Sequence, residues 1–314
     1  MKKLIIIVLL AMLAMAPVNA VSRRKATARR HTTTAQQRPA KRAFMVGISR
    51  YRANGRDAWH NIHGAEDVAM LAPVLKQQGF AVTSLTNEEA TCANIKKRLK
   101  AFINGTRKGD IVYLHFSMHG QPVEDGMNGM KKDEADGWDE SVVPIDAGSR
   151  YEHGRYVGDK HLTDDELEAY FEQLRKQIGP TGVLYVALDA CHSGGASRDG
   201  SDDMAQGTVR GTNEGLSRSG AIYRPTNGDK RCHYSLPQGK GLAPTLFLEA
   251  CQSNQRNIEI KINGTEHGAL SFNVLCALKR HPLGKNRTQF KADVQHSTRQ
   301  PGRWPSRQTL VIEE

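Results

Sequence analysis

Apolar positions recur along this chain at two spacings, one suited to strands and one to helices, after an unbroken apolar opening. Behind Lys2 and Lys3 runs an apolar stretch over residues 4–15, closed by Val18-Asn19-Ala20. A charged start, a short apolar run and a small residue at the end predict a secretory signal peptide over residues 1–20. The run is shorter than the roughly 20 residues a bilayer span needs. Residues 21–42 carry Ser, Arg, Thr, Gln and Pro without apolar periodicity, and are read as a basic, disordered leader. The folded domain is assigned to residues 43–314.

Within that domain, short apolar runs at 43–48, 80–85, 110–116, 182–188, 245–248 and 309–312 predict strands. Helical spacing joins Val68, Leu71, Ala72 and Leu75, then Ile95, Leu99, Phe102 and Ile103, then Leu167, Tyr170, Phe171 and Leu174; a further helix is read over 269–278. Gly79 is placed to stop the first helix, and Thr163-Asp164-Asp165-Glu166 reads as a capping box opening the third. Strands alternating with helices predict an α/β fold with a mostly parallel central sheet and helices on both faces. Two stretches, 121–161 and 198–242, are rich in Gly and charge, and read as long loops.

Charge adds a question of partners. The formal net charge of +11 falls by two once Lys2 and Lys3 leave, and much of the excess lies in 21–42 and 279–307. Such runs are read as solvated tails, with binding to an anionic surface as the alternative; no nucleic-acid partner and no stable membrane span are expected. Five cysteines, Cys92, Cys191, Cys232, Cys251 and Cys276, form neither a tight framework nor a CxxC motif. An odd number in an exported chain flags a reactive thiol.

Two strands end in residues with chemistry. The run 110–116 leads into His119-Gly120, and 182–188 leads into Asp189-Ala190-Cys191-His192-Ser193-Gly194. In parallel sheets, ligands bind outside the carboxyl ends of the strands. A thiolate is a strong nucleophile, and a neighbouring imidazole can generate it and later protonate a leaving amine. Glycine-flanked turns supply backbone N–H donors for the developing oxyanion. A packed core thiol and a lone His-Gly remain the structural alternatives for each half. His115 and His119 stand four apart, as zinc ligands do on helices. Here they fall on a strand, so no metal set is assigned and His115 is read as packed.

The segments His115-Phe116-Ser117-Met118-His119-Gly120 and Leu188-Asp189-Ala190-Cys191-His192-Ser193-Gly194 resemble the two catalytic blocks of metacaspases and bacterial caspase-like peptidases. Gly64 to Leu71, Asp136 to Asp146 and Glu249 to Gln255 resemble further blocks in the same order, so the likeness covers about residues 43–280. The resemblance implies a caspase-like α/β fold and peptide hydrolysis by His119 and Cys191, with the N–H groups of Gly120 and Cys191 as oxyanion donors. It also implies that Asp189, Ser117 and Asp67 hold an Arg or Lys before the cleaved bond. The first-helix block is one residue shorter than the usual pattern, Met118 replaces the commoner Gly, and the Gln-Ala-Cys signature of caspases is absent. The acidic residues Asp133, Glu134, Asp136, Asp139 and Glu140 are read as a solvated loop; a calcium ion, which activates some metacaspases, is the other reading. No cofactor is required.

The function expected is therefore an exported, periplasmic or extracellular cysteine endopeptidase acting on protein or peptide substrates after Arg or Lys. The alternatives are a catalytically silent caspase-fold scaffold and a basic anion-binding exported protein. The 198–242 loop offers Arg198, Arg210, Arg218, Arg224, Lys230 and Arg231 for self-cleavage.

Overall fold

The computed structural model describes residues 39–52, 58–127, 132, 134, 136–191, 207–212, 214–224 and 239–314. Residues 1–38, which include the expected signal peptide and most of the leader, lie outside the described residues, as do Asp133, His192, Arg198, Lys230, Arg231 and Cys232. No described helix is long and apolar enough to cross a membrane.

In chain order the elements are β1 (Lys41–Gly47), α1 (Gly64–Gln77), β2 (Phe80–Thr86), α2 (Cys92–Gly105), β3 (Ile111–Ser117), β4 (His119–Glu124), β5 (Trp138–Val143), β6 (Leu162–Thr163), α3 (Asp164–Ile178), β7 (Val183–Asp189), β8 (Thr245–Glu249), β9 (Ile260–Ile262), β10 (Thr265–His267), α4 (Ala269–Arg280), α5 (Arg287–Thr298) and β11 (Val311–Glu313). The six strands expected from the apolar runs form one sheet, ordered β11-β8-β7-β3-β1-β2. All pair in parallel except β11, which runs antiparallel to β8.

Period-2 alternation divides each strand between two cores. Phe44, Val46, Leu114, Phe116, Val186 and Leu188 pack beneath α2 and α3. Ala43, Met45, Tyr113, Tyr185, Leu246 and Leu248 pack beneath α1, α4 and α5. With both faces covered, the strands read as continuous apolar runs.

Three expectations need correction. The stretch 121–161 is not one loop: β4, β5 and β6 form a second, antiparallel sheet. Its apolar signal is masked because it buries polar residues, whose bonds are made internally. Ser141 Oγ donates to the Gln121 carbonyl at 2.6 Å, and Gln121 Nε2 donates to the carbonyls of Ser149 and Glu214 at 2.8 Å each. The basic stretch 279–307 is folded rather than a solvated tail, since α5 buries Phe290 and Val294 one turn apart. The leader overlaps the fold, because β1 begins at Lys41, and Arg42 pairs with Asp110 at 3.0 Å. Thr163 does stand at the N-cap of α3, but without a capping side-chain bond.

Register sets up the functional edge. Gly47, Ser117 and Asp189 are direct partners across β1, β3 and β7. The start of α1 rests on these strand ends through glycines: a Cβ on Gly47 would lie 2.2 Å from the Gly64 carbonyl oxygen, and one on Gly64 would lie 2.0 Å from that of Ser117. That close approach delivers Asp67, in the first turn of α1, to Ser117 Oγ at 2.8 Å.

Candidate active site

Because Ser117 and Asp189 are register partners, the residues two positions on, His119 and Cys191, emerge from the same edge of the sheet. His119 starts β4 and is fully buried between Trp59, with ring centroids 5.0 Å apart, and Tyr51, at 4.7 Å. Its Nε2 lies 2.8 Å from the His60 carbonyl oxygen. A carbonyl only accepts, so Nε2 carries the proton and Nδ1 keeps its lone pair. Nδ1 is buried and makes no hydrogen bond. Burial, reinforced by the His60 ring, lowers the His119 pKa to about 3, so the ring is neutral.

Cys191 is buried, and its Sγ donates to the Gln255 carbonyl at 3.3 Å. Cys92, Cys191, Cys251 and Cys276 are not joined in disulfides. A hydrogen bond to Cys191, together with burial, pushes the Cys251 thiol well above its ordinary range, and burial pushes Cys92 up to about 11. Neither is suited to form a thiolate.

The pocket beside this pair is filled by the chain itself. Arg210 is fully buried. Its Nη2 donates to Asp67 Oδ2 at 2.7 Å and to Glu259 Oε1 at 2.8 Å, its Nη1 to Ser117 Oγ at 2.6 Å, and its Nε to Glu259 Oε1 at 3.0 Å. Asp189 Oδ1 stands 3.6 Å from Nη1 and is occupied by Asn257 Nδ2 at 2.7 Å. Asp189 Oδ2 accepts from the Ser271 N–H and hydroxyl at 2.7 and 2.6 Å. The structure thus gathers Asp67, Ser117 and Asp189 around one guanidinium, with the Asp67 carboxylate closer to it than that of Asp189.

Burial works against the Arg210 charge, yet Asp189, Asp67 and Glu259 outweigh it and raise its pKa. Burial likewise pushes Asp67 up, and Arg210, His267 and Ser117 outweigh it and hold the carboxyl below its usual range. The backbone of Arg210 is held as firmly. Its carbonyl oxygen accepts from the Cys191 N–H at 3.0 Å and the Gly120 N–H at 3.3 Å, the two donors expected from the sequence.

Comparison with known proteins agrees with this geometry. The family model described as "Caspase domain" matches residues 40–301. The chain belongs to the caspase-domain family. Among relatives of this caspase domain, Metacaspase-1 of Ajellomyces capsulatus is 26% identical over 276 residues, covering 77% of this chain and 72% of that protein. Metacaspase-1A of Aspergillus fumigatus is 25% identical, and the match spans 62% of its length. The crystal structure of protein GSU0716 from Geobacter sulfurreducens superposes with a TM-score of 0.58 at 24% identity, covering 88% of this chain and 93% of that one; that likeness carries the fold.

Several site residues of this caspase domain escaped the sequence reading. Glu259 is buried, takes two bonds from Arg210, and is oriented by His63 through Nδ1 at 2.6 Å and the backbone N–H at 2.8 Å. Gly268, ahead of α4, leaves room for the pocket: a Cβ there would lie 2.2 Å from Asp189 Oδ2 and 2.7 Å from Arg210 Cζ. His115, read as packed, is buried and links Tyr113 to Ser271, and so to Asp189.

The acidic cluster divides. Glu134 and Asp136 are exposed, as a solvated loop requires, whereas Asp139 is buried. Asp139 Oδ2, Asp125 Oδ1 and Asp164 Oδ1 are buried atoms without hydrogen-bond partners. Burial and the neighbouring Asp125, Asp165, Glu134 and Glu140 push the Asp139 carboxyl up to about 7. Burial, with Glu140 and Asp139, raises Asp164 as well.

Proposed function

We propose that this caspase domain is a cysteine endopeptidase that cleaves after Arg or Lys, with Cys191 as nucleophile and His119 as its proton carrier. The observation that carries the reading is the seating of Arg210: its side chain fills an acidic pocket while its carbonyl oxygen rests on two N–H donors beside a thiol. An Arg entering from another protein would present its carbonyl carbon to Cys191 in the same way.

The chemistry follows from the groups present. The free lone pair of His119 Nδ1 takes the Cys191 proton, and the thiolate attacks the carbonyl carbon. The oxyanion gains the Gly120 and Cys191 N–H groups, fixed before reaction and needing no reorganisation. Collapse breaks the C–N bond, and His119 returns its proton to the amine. Water, deprotonated by the same imidazole, then cleaves the thioester and restores the thiol. Burial makes the imidazolium strongly acidic, which favours proton delivery to the leaving amine.

Fluorogenic peptides bearing Arg, Lys, Asp or Asn before the bond test this reading. Arg and Lys peptides should be cut, Arg faster because its planar fork meets two carboxylates, and Cys191→Ala should cut none. Equal rates on Asp peptides, or turnover by folded Cys191→Ala, would reject it.

Calcium is a second reading, supported by the three unpartnered buried carboxylate oxygens. Asp139 is repelled by Asp125, and Asp164 by Asp139, and a nearby calcium ion, a hard cation that takes oxygen ligands, would offset that repulsion. Calcium should then raise the melting temperature of wild type and not of Asp139→Asn. The opening residues support export, and N-terminal sequencing of the secreted chain should begin near Val21.

A further inference from the structure

One buried thiol beside the nucleophile takes no part in peptide hydrolysis. Cys251 stands two residues beyond the end of β8, as Cys191 stands two beyond the end of β7. The strands pair in parallel up to Leu188↔Glu249, and the Ala250 N–H donates to the Leu188 carbonyl at 3.1 Å, so the two chains leave the sheet side by side. Cys251 Sγ lies 4.0 Å from the Ala190 carbonyl oxygen, and the Cys251 thiol shares a hydrogen bond with Cys191. Cys191 Sγ in turn points to the loop that follows Cys251, donating to the Gln255 carbonyl at 3.3 Å. Neighbouring strands run about 4.7–4.9 Å apart, within the Cα separation of roughly 4.4–6.8 Å that a disulfide spans. No other described cysteine shares this edge: Cys92 opens α2, and Cys276 lies in α4.

We propose that Cys191 and Cys251 form a reversible oxidation site, in which a hydroperoxide converts Cys191 to a sulfenic acid and Cys251 resolves it as a disulfide. Its effect on hydrolysis rests on the peptidase reading above; formation of the bond does not. The thiolate that His119 generates for catalysis is also the form a peroxide attacks. The Cys191 sulfur bonds to one peroxide oxygen, the O–O bond breaks, and the other oxygen leaves as water or an alcohol with the proton from His119. Cys251 Sγ then bonds to the Cys191 sulfur, whose hydroxyl leaves as water with the Cys251 proton. Together the two thiols give up two electrons, and these reduce the one peroxide. A hydrogen bond to Cys191, burial and the Cys191 charge hold the Cys251 proton in place; the first and last are gone once Cys191 is a neutral sulfenic acid. The disulfide removes the nucleophile while sparing its sulfur, because a sulfenic acid left unresolved oxidises on to sulfinic acid, which thiol reductants do not restore.

The test uses the purified full chain as wild type, Cys251→Ser and Cys251→Ala, each treated with hydrogen peroxide and then with dithiothreitol. Peptide mapping before reduction reads the state of each sulfur. Hydrolysis of an Arg peptide reads activity, each protein being referred to its own untreated rate. Wild type should yield peptides joined through Cys191 and Cys251, lose hydrolysis in proportion to the joined fraction, and regain it with the reductant. The two variants should carry Cys191 as sulfinic or sulfonic acid and stay inactive after reduction. The bond is read in wild type alone, so the test holds even where both variants misfold. A wild type whose Cys191 stays unmodified, or is oxidised past sulfenic acid while Cys251 remains a thiol, overturns the inference; so does equal recovery in wild type and variants. A folded wild type inactive on the Arg peptide before treatment rejects the peptidase reading, and the peptide map then decides the sulfur chemistry by itself.

Discussion

At the scale of single residues, the pocket distributes its charge differently from the order in which the acids stand in the chain. Asp189, two before the nucleophile, is the acid a sequence comparison notices first. Three donors from Asn257 and Ser271 satisfy its oxygens, and it stands 3.6 Å from the guanidinium. Asp67 and Glu259 lie at 2.7 and 2.8 Å. Discrimination for Arg should therefore depend on Asp67 and Glu259 at least as strongly as on Asp189. Leaving a desolvated charge without its partner costs on the order of 2–5 kcal/mol, so kcat/KM on an Arg peptide should fall by at least about 30-fold in Glu259→Gln. Asp189→Asn should act mainly by turning an amide toward the Asn257 and Ser271 donors. Steady-state kinetics on the three single variants Asp67→Asn, Glu259→Gln and Asp189→Asn decide the ranking. An Arg rate in Glu259→Gln within a few-fold of wild type would remove Glu259 from specificity.

At the scale of elements, what places the pocket is the contact between the start of α1 and the ends of β1 and β3. Gly64 allows it, since a Cβ there would meet the carbonyl oxygens of Ser117 at 2.0 Å and Ile48 at 2.8 Å. Backbone on both sides cannot give way, so Gly64→Ala should push α1 outward and carry Asp67 from the guanidinium. Overpacking of this kind costs about 1–3 kcal/mol; chemical denaturation should show that loss, together with a raised KM for Arg peptides. Unchanged stability would mean the helix has room to shift.

The second sheet carries a pH effect of definite sign. Asp139 titrates near 7 in the folded chain, against about 4 when unfolded. Between those values the folded state binds the extra proton, so this group's stabilising contribution is present below pH ~4 and is lost as pH rises toward 7. Asp139→Asn should therefore gain stability over wild type at pH 7–8 and little at pH 4, measured by thermal melts at each pH. A gain of equal size at both values would assign the effect to packing.

These elements also show why some parts were legible in the sequence and others were not. The six central strands and first four helices are buried by apolar residues at regular spacing, which a one-dimensional reading detects. In the second sheet the inward positions include Gln121, Asp139 and Ser141, and in α5 only Phe290 and Val294 mark the buried face among its apolar residues. Of the site, the parts on strand ends or in the first turn of α1 were visible: Ser117, His119, Asp189, Cys191 and Asp67. Asn257, Glu259 and Ser271 reach it only through long-range pairing, and so did the choice of Arg210 among six basic residues.

At the scale of the whole molecule, self-cleavage after Arg210, one of the basic residues the sequence offers for it, would divide the chain without dividing the fold. The first part holds β1 to β7, and the second supplies β8 and β11 at one edge of the same sheet. β8 pairs with β7 from Leu184↔Thr245 to Leu188↔Glu249, and buried Leu246, Leu248, Leu270 and Val274 share a core with Met45, Leu71 and Tyr185. Polar bonds cross the same boundary: Gln78 Nε2 donates to the Leu278 carbonyl at 2.7 Å, and the Tyr185 hydroxyl to that of Gly284 at 2.8 Å. The pocket is shared as well, with Asp67, Ser117 and Asp189 from the first part and Asn257, Glu259 and Ser271 from the second. Burial of this core depends on contacts and not on one loop bond, and loop-closure entropy changes only slowly with loop length. A nicked chain should therefore elute from size exclusion at the volume of the intact one and separate only in denaturant. Each fragment, isolated in denaturant and returned to buffer alone, should lack activity on an Arg peptide, and mixing the two should restore it. Fragments that part under native conditions, or a first fragment active alone, would show that the second half is not needed to build the site.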